Sequence, residues 1–480
     1  MKSLTRRLVV TWTGLGPRFL PFADAATPDL PLSRLLRLSL FQASVGMALV
    51  LLVGTLNRVM IVELHVPASL VAIMVSLPVI YAPVRALIGF RSDNHHSALG
   101  WRRVPYIWMG TMLQFGGLAV MPFALLVLSG GGNASQWPAW IGQAGAAIAF
   151  LLVGAGVHTT QTAGLALATD LAAEESQPKV VGLMYVMLLV GTMVSAVVFG
   201  QLLADFSPGR LVQVIQGAGL ATMVLNVVAL WKQETRLPPR GAAPARHASF
   251  GESWGRFINQ VNAMRRLVAI GLGTMAFSMQ DVLLEPYGGQ VLGMNVGATT
   301  SLTATFAAGG LIGFGWASGV LSRGADPFRM AAAGALLGIP AFGAVIMSAP
   351  MGSIPLFGAG VLLVGLGGGI FSHGTLTATM NSAPKEQTGL ALGAWGAVQA
   401  TAAGVAVALG GILRDLVSAL AARGFFGEAL AVPATGYAAV YALEIALLLA
   451  TTAAMAALIG SQRSGSSPRP FTEEFERRSS

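Results

Sequence analysis

Twelve apolar segments, each about as long as the ~20 residues a helix needs to cross a bilayer, constrain this chain more than any other feature. They fall at 38–61, 69–90, 105–128, 140–168, 181–204 and 211–231, then at 267–291, 299–321, 330–348, 355–380, 390–413 and 437–459. The pattern is six, a polar break at 232–266, and six more. Apolar residues fill 54% of the 480 positions and charged residues only 10%, where soluble proteins carry roughly 25% charged. The chain therefore reads as an all-α polytopic membrane protein with two six-helix halves, 38–231 and 267–459. A basic, aromatic arm (1–37) precedes them. A Ser/Pro/Arg/Glu-rich tail (460–480) with the composition of a disordered segment follows.

The absence of cysteine excludes disulfides, thiolate metal sites, iron–sulfur clusters and cysteine nucleophiles. Residues 1–37 are interrupted by Pro17, Pro21, Pro28 and Pro31, unlike a cleavable signal. The arm's six cations and large apolar residues suit either a segment lying in the membrane interface or a topogenic tail. The net charge of +9 follows from topology, not from nucleic-acid binding. Lysine and arginine concentrate in the arm, at Arg91, Arg102 and Arg103, at Lys179, in 232–266, at Arg323 and Arg329, at Lys385 and in the tail. All of these lie on one side of the membrane, so both termini are expected in the cytoplasm.

The halves echo each other. His158-Thr-Thr-Gln161-Thr162-Ala163 in the fourth span and His373-Gly-Thr-Leu-Thr377-Ala378 in the tenth share the pattern H-x-T-x-T-A. Gly200-Gln-Leu-Leu-Ala-Asp205 and Gly410-Gly-Ile-Leu-Arg-Asp415 close the fifth and eleventh spans. Parallel six-helix repeats describe the major facilitator architecture. The loop Gly89-Phe-Arg-Ser-Asp93 … Gly100-Trp-Arg-Arg103 resembles that superfamily's Gly-x-x-x-Asp…Gly-x-Arg-Arg loop, with an insertion at Asn94–Ser97 that includes His95 and His96.

On a helix, residues four apart stack, so His158 lies over Thr162 and His373 over Thr377. Twelve residues separate His158 from Asp170, about 18 Å of helix and near mid-membrane. Ionisable groups at that depth face the interior and mark functional sites. A neutral imidazole there can give one nitrogen to a metal while the other donates a hydrogen bond. It can equally hold two helices together through a threonine or carbonyl. The other intramembrane polar residues are Asn57, Arg58, Arg85, Gln280, Asp281, Glu285 and Glu444. Asp281 and Glu285 share a helix face, and Pro286 is expected to kink the helix beside them. Arg58 or Arg85 is the expected structural counter-ion; proton coupling is the alternative role. Glycine runs such as Gly309–Gly319 and Gly365–Gly369 read as close helix contacts, and no catalytic signature is present, so an enzyme is not expected.

Five strings resemble the bacteriochlorophyll-delivery (PucC/LhaA-type) branch of the major facilitator superfamily. They are Leu99-Gly-Trp-Arg-Arg-Val-Pro-Tyr-Ile107, the His158–Asp170 run, Gln280-Asp-Val-Leu-Leu-Glu-Pro-Tyr-Gly-Gly289, Phe371-Ser-His-Gly-Thr-Leu-Thr377 and Gly393-Ala-Trp-Gly-Ala-Val-Gln399. The likeness runs from Leu32 to Asp415, with the LhaA-like side favoured. It implies a light-harvesting assembly factor in the inner, intracytoplasmic photosynthetic membrane of a purple bacterium. Bacteriochlorophyll a is the implied cofactor, with carotenoid a further candidate. His158 and His373 are the implied axial ligands to the chlorin magnesium, with Gln161, Thr162 and Thr377 beside them. The implied partners are lipid, antenna polypeptides of the core antenna (LH1) in preference to the peripheral one (LH2), the reaction-centre/LH1 complex and bacteriochlorophyll-synthesis enzymes. The competing expectation is a proton-coupled transporter of a small solute that uses Asp281 and Glu285.

Overall fold

The computed structural model describes residues 26–27, 29–80, 85, 88, 92, 100–130, 133, 136–173, 176–234, 258–259, 262–382 and 388–465. Eleven helices among them are long and apolar enough to cross a membrane. We number the helices α1 (Leu32–Glu63), α3 (Val104–Leu128), α4 (Ala139–Leu171), α5 (Gln177–Leu202), α6 (Pro208–Leu230) and α7 (Ala263–Gln290). The rest are α8 (Val296–Leu321), α9 (Pro327–Ser348), α10 (Ile354–Ser382), α11 (Thr388–Ala422) and α12 (Ala434–Gly465). Between α1 and α3 lies α2 (Ala68–Ser76), extended by a 3₁₀ turn over Leu77–Ile80. The remainder of the expected second span lies largely outside the described residues, as do most of the arm, 235–257 of the linker, 466–480 of the tail, Asp93 and the Asn94–Ser97 insertion.

The helix pairings repeat between the halves. In the first half α3–α4, α3–α6, α1–α5 and α1–α6 pack together; α9–α10, α9–α12, α7–α11 and α7–α12 are their counterparts. The halves meet through a matched pair of contacts, α2 on α11 and α5 on α8. Lipid is as apolar as leucine, so close approach, not hydrophobicity, must hold such helices together. The glycine runs supply that approach at α8–α10. A Cβ at Gly309, Gly313, Gly365 or Gly369 would collide with the opposing helix's backbone carbonyl, whereas one at Gly315 or Gly319 meets open space. Gly365→Ala is thus expected to lose about 1–3 kcal/mol in thermal unfolding of the detergent-purified protein. Gly315→Ala should be near neutral, and equal melting of the two variants would contradict this packing.

Three boundaries differ from the sequence reading by more than four residues, the first two for a polar reason. Helix α1 starts at Leu32 instead of 38, because Arg34 is anchored: it donates to Gln233 Oε1 (3.1 Å) and Gln233 O (2.7 Å). Helix α11 runs nine residues past 413, carrying Arg414 and Asp415 inside it. Arg414 donates to Asp415 and Gln290 and lies 4.6 Å above the Tyr437 ring. Asp415 Oδ2 accepts the Ser69 backbone N–H (2.7 Å) and so caps α2 in the other half. The matching Asp205 only pairs locally with Arg210, which is why the two similar strings end their helices differently. Helix α12 continues to Gly465, into the expected tail.

At the opposite end, Glu234 caps α3 by accepting the backbone N–H groups of Arg102, Arg103 and Val104 at 2.8–2.9 Å. Asp170 takes the guanidinium groups of Arg102 (2.6 Å) and Arg103 (3.0 Å). The arginines of the superfamily-like loop therefore tie α3 to the end of α4.

Candidate functional site

The two H-x-T-x-T-A copies occupy the same depth: His158 and His373 each lie nineteen residues beyond the first residue of their helix. The first of the two threonines in the pattern also plays the same part. Thr160 accepts from Gln114 Nε2 (2.9 Å) and Thr375 from Trp395 Nε1 (3.3 Å). The copies diverge at the position between the threonines. Gln161 makes polar contacts, whereas Leu376 packs with Ile270 and Trp395.

Around His158 the structure assembles side chains from several helices. Pro78 of the turn after α2 nests against Gly154 of α4, where no Cβ could fit. This crossing sets the two segments side by side one turn before His158. Beyond it, Arg85 donates through Nε to Thr162 Oγ1 (3.1 Å) and through Nη2 to Gln161 Oε1 (3.2 Å). Gln161 Nε2 continues to Gln42 Oε1 of α1 (3.4 Å). Thr162 returns its hydroxyl to the His158 carbonyl (2.7 Å). Arg85 is close enough to both His158 and Tyr185 of α5 to interact with their charges. The His158 Nδ1 is buried and has no hydrogen-bond partner among the described residues.

Arg85 therefore belongs to the histidine site and is not the counter-ion of the α7 carboxylates. Tyr185 and Gln42 were not singled out by the sequence. Gln42 had a signal, an amide inside the first span, as Asn57 is. Tyr185 meets Trp395 of α11 edge-on at 6.4 Å, so this site borders the other half.

His373 has a different setting. It is 9% exposed, and its ring lies 4.2 Å from that of Phe314 on α8. Thr377 is half-buried one turn away. The histidines are equivalent in register but not in surroundings: one is among polar groups, the other against a phenyl ring.

The α7 acids form a separate cluster at the junction of the halves. The helix leaves α geometry at Met279–Val282, one turn before Pro286. Proline at 286 has no N–H for the carbonyl four residues earlier and its ring crowds that position. The freed Val282 carbonyl is taken instead by Asn57 Nδ2 of α1 (2.8 Å). Asn57 itself sits between two wide, π-type turns, Val50–Thr55 and Val59–Glu63, of the kind that marks adapted sites. The Gln280 amide donates to Glu444 Oε1 (2.7 Å), and Gln280 Nε2 donates to Asp281. Glu285 accepts from Thr303 and Thr300 and fills the space left by Gly54. Arg58 pairs with Glu63 and donates to the Met294 carbonyl (3.2 Å). Among the described residues neither Arg58 nor Arg85 forms an ion pair with Asp281 or Glu285, although Arg58 is near enough to Glu285 to act on its charge. Hydroxyl and amide donors make the direct contacts to both acids.

Among the described residues no three His, Asp or Glu side chains converge as a metal-ion site. His158 instead fits a metal that needs one axial nitrogen, because its unpartnered Nδ1 retains hydrogen-bonding or ligating capacity.

The family profile described as PUCC protein matches residues 55–463. A relative named Protein PucC, from Rhodovulum sulfidophilum, is 64% identical over 420 residues, covering 87% of this chain and 92% of that protein. A more distant one, named Bacteriochlorophyll synthase 44.5 kDa chain, from Rhodobacter capsulatus, is 29% identical over 80% of this chain and 88% of its own. In three dimensions the chain resembles an inward-facing bacterial homologue of the lysosomal transporter Spinster. The TM-score is 0.64 at 14% identity, covering 88% of this chain and 95% of that one. The fold is that of the major facilitator transporters, and this multi-pass membrane protein belongs to the PucC protein family.

Proposed function

We propose that the protein is an assembly factor for light-harvesting antenna complexes, holding bacteriochlorophyll a in the membrane and passing it to antenna polypeptides. The observation that carries this reading is the His158 imidazole, with Nδ1 buried and unpartnered, about 20 Å inside the end of α4. A ring nitrogen left without a partner at that depth is costly unless something takes it. The magnesium of a chlorin accepts one axial nitrogen, and its macrocycle and tail are soluble in the bilayer. Gln161, Thr162 and Arg85 lie around His158 as hydrogen-bond groups for the pigment's carbonyl periphery. His373, under Phe314, is the second candidate ligand.

The work takes place in the inner, intracytoplasmic photosynthetic membrane. The reaction-centre/LH1 complex and bacteriochlorophyll-synthesis enzymes are further partners, and carotenoid a further ligand.

Solute transport coupled to protons is the rival reading. Asp281, Glu285 and Glu444 lie together at the α7 break, as a proton-coupled carrier would require. Purification separates the two. A coloured preparation that retains antenna polypeptides is expected; a colourless protein with pH-dependent solute flux in vesicles would contradict the proposal. The same pull-down assigns the client. Core-antenna (LH1) polypeptides are expected, and recovery of peripheral (LH2) polypeptides alone would reassign it.

A further inference from the structure

Arg85 carries a positive charge that no carboxylate among the described residues answers. Its Nε and Nη2 donate to Thr162 and Gln161, which are neutral, and its other electrostatic neighbours are His158 and the Tyr185 phenol. The paired carboxylates of the described residues are engaged elsewhere: Glu63 with Arg58, Asp170 with Arg102 and Arg103, Asp205 with Arg210 and Asp415 with Arg414. The α7 acids are held by Gln280, Thr300 and Thr303. An unanswered guanidinium in a membrane interior is expensive, and such groups persist where a ligand or partner supplies the opposite charge.

The second half makes an independent observation of the same kind. Arg266 of α7 is 5% exposed, and its Nε and Nη2 have no hydrogen-bond partner. It lies one turn from Ile270 on the same helix face. Ile270 packs with Leu376, Trp395 and Tyr185. A cation from each half, neither in an ion pair among the described residues, thus lies next to one cluster, whose Tyr185 and Trp395 rings meet edge-on.

We propose that this site takes its ligand as a carboxylate: the tail-less free acid of a tetrapyrrole, whose ionised propionate is bound by Arg85. The proposal rests on the pigment-binding reading and adds to it a second ligand of the same site, the precursor acid that precedes the esterified pigment. In the mature pigment that propionate is an ester and carries no charge. Arginine suits a carboxylate because its donors form a planar fork, and Nη1 remains available while Nε and Nη2 hold the side chain in place.

The test compares three forms of one macrocycle, bacteriochlorophyllide a, its methyl ester and phytyl-esterified bacteriochlorophyll a, with palmitate as an unrelated acid. Each is titrated against the full chain in nanodiscs. The free acid is expected to bind roughly 10- to 100-fold tighter than the methyl ester, the range of a hydrogen bond to a charged group. Arg85→Gln should abolish this preference and Arg85→Lys should keep part of it. Because the acid and methyl ester differ only in the charge and one methyl group at the propionate, the comparison on the unmodified chain decides even if a variant fails to fold. Equal binding of acid and ester would overturn the carboxylate proposal and leave pigment binding standing. Binding of palmitate alone, dependent on Arg85, would overturn both the tetrapyrrole assignment and the pigment reading. No binding of any of the four would do the same.

Discussion

Glu444→Ala is expected to lower stability by about 3 kcal/mol, more than truncation of any surface charge. Glu444 is fully buried, and removing its carboxyl empties a volume that neighbouring helices can only partly refill, at a cost of about 2 kcal/mol. The remainder comes from the Gln280 amide, which loses its acceptor at the turn where α7 leaves α geometry. Hydrogen bonds inside membrane proteins are worth about 0.6–1.7 kcal/mol, less than their isolation from water suggests. Glu444→Gln retains an oxygen for that amide and should stay within about 1 kcal/mol of the unmodified protein. Thermal unfolding in detergent distinguishes the cases. Equal losses for Ala and Gln would mean that capping of the α7 break is not what Glu444 does.

That break shows where sequence reasoning reached and where it stopped. Apolar length alone located the spans, because the bilayer fixes how long a helix must be. Pro286 announced a distortion in α7, since proline's missing N–H is a local property. Nothing local indicated that Asn57, in α1, takes the freed Val282 carbonyl, or that Glu444, in α12, receives the Gln280 amide. Such partners are set by how the halves meet. The same distinction governs the arginines. Depth in a span marked Arg58 and Arg85 as functional or paired; Arg58 has its acid within its own helix, whereas the partners of Arg85 depended on tertiary placement. Arg58 found Glu63, five residues away, and Arg85 found the α4 polar row.

The histidine site was legible in part. The repeated H-x-T-x-T-A pattern placed His158 and His373 at matching depth, which the helix registers reproduce. It also suggested equal roles, which their neighbours do not support. The difference lies in Gln161 against Leu376 and in Phe314, a residue two helices earlier in the chain that stacks near His373. Helix α11 is a similar case. An arginine–aspartate pair looked like a helix end, yet Gln290, Tyr437 and Ser69 satisfy both charges and allow the helix to continue.

His158→Ala is the substitution expected to affect function most. If the imidazole ligates pigment, its removal takes away both the coordinate bond and the orientation provided by the Gln161–Thr162–Arg85 row. Even outer-sphere changes at metal sites typically cost 10- to 100-fold in affinity, so at least about a tenfold loss of pigment per protein is expected. His373→Ala should lose less, because Phe314 already covers that ring. The His158 change should not prevent folding, because His158 is half-buried and its Nδ1 has no hydrogen-bond partner among the described residues. The decisive measurement is the ratio of pigment absorbance to protein in chains purified from a pigment-making host. The account predicts a ratio at least about tenfold lower for His158→Ala at unchanged yield and melting temperature, and lower still for the double variant with His373→Ala. An unchanged ratio in the double variant would contradict it.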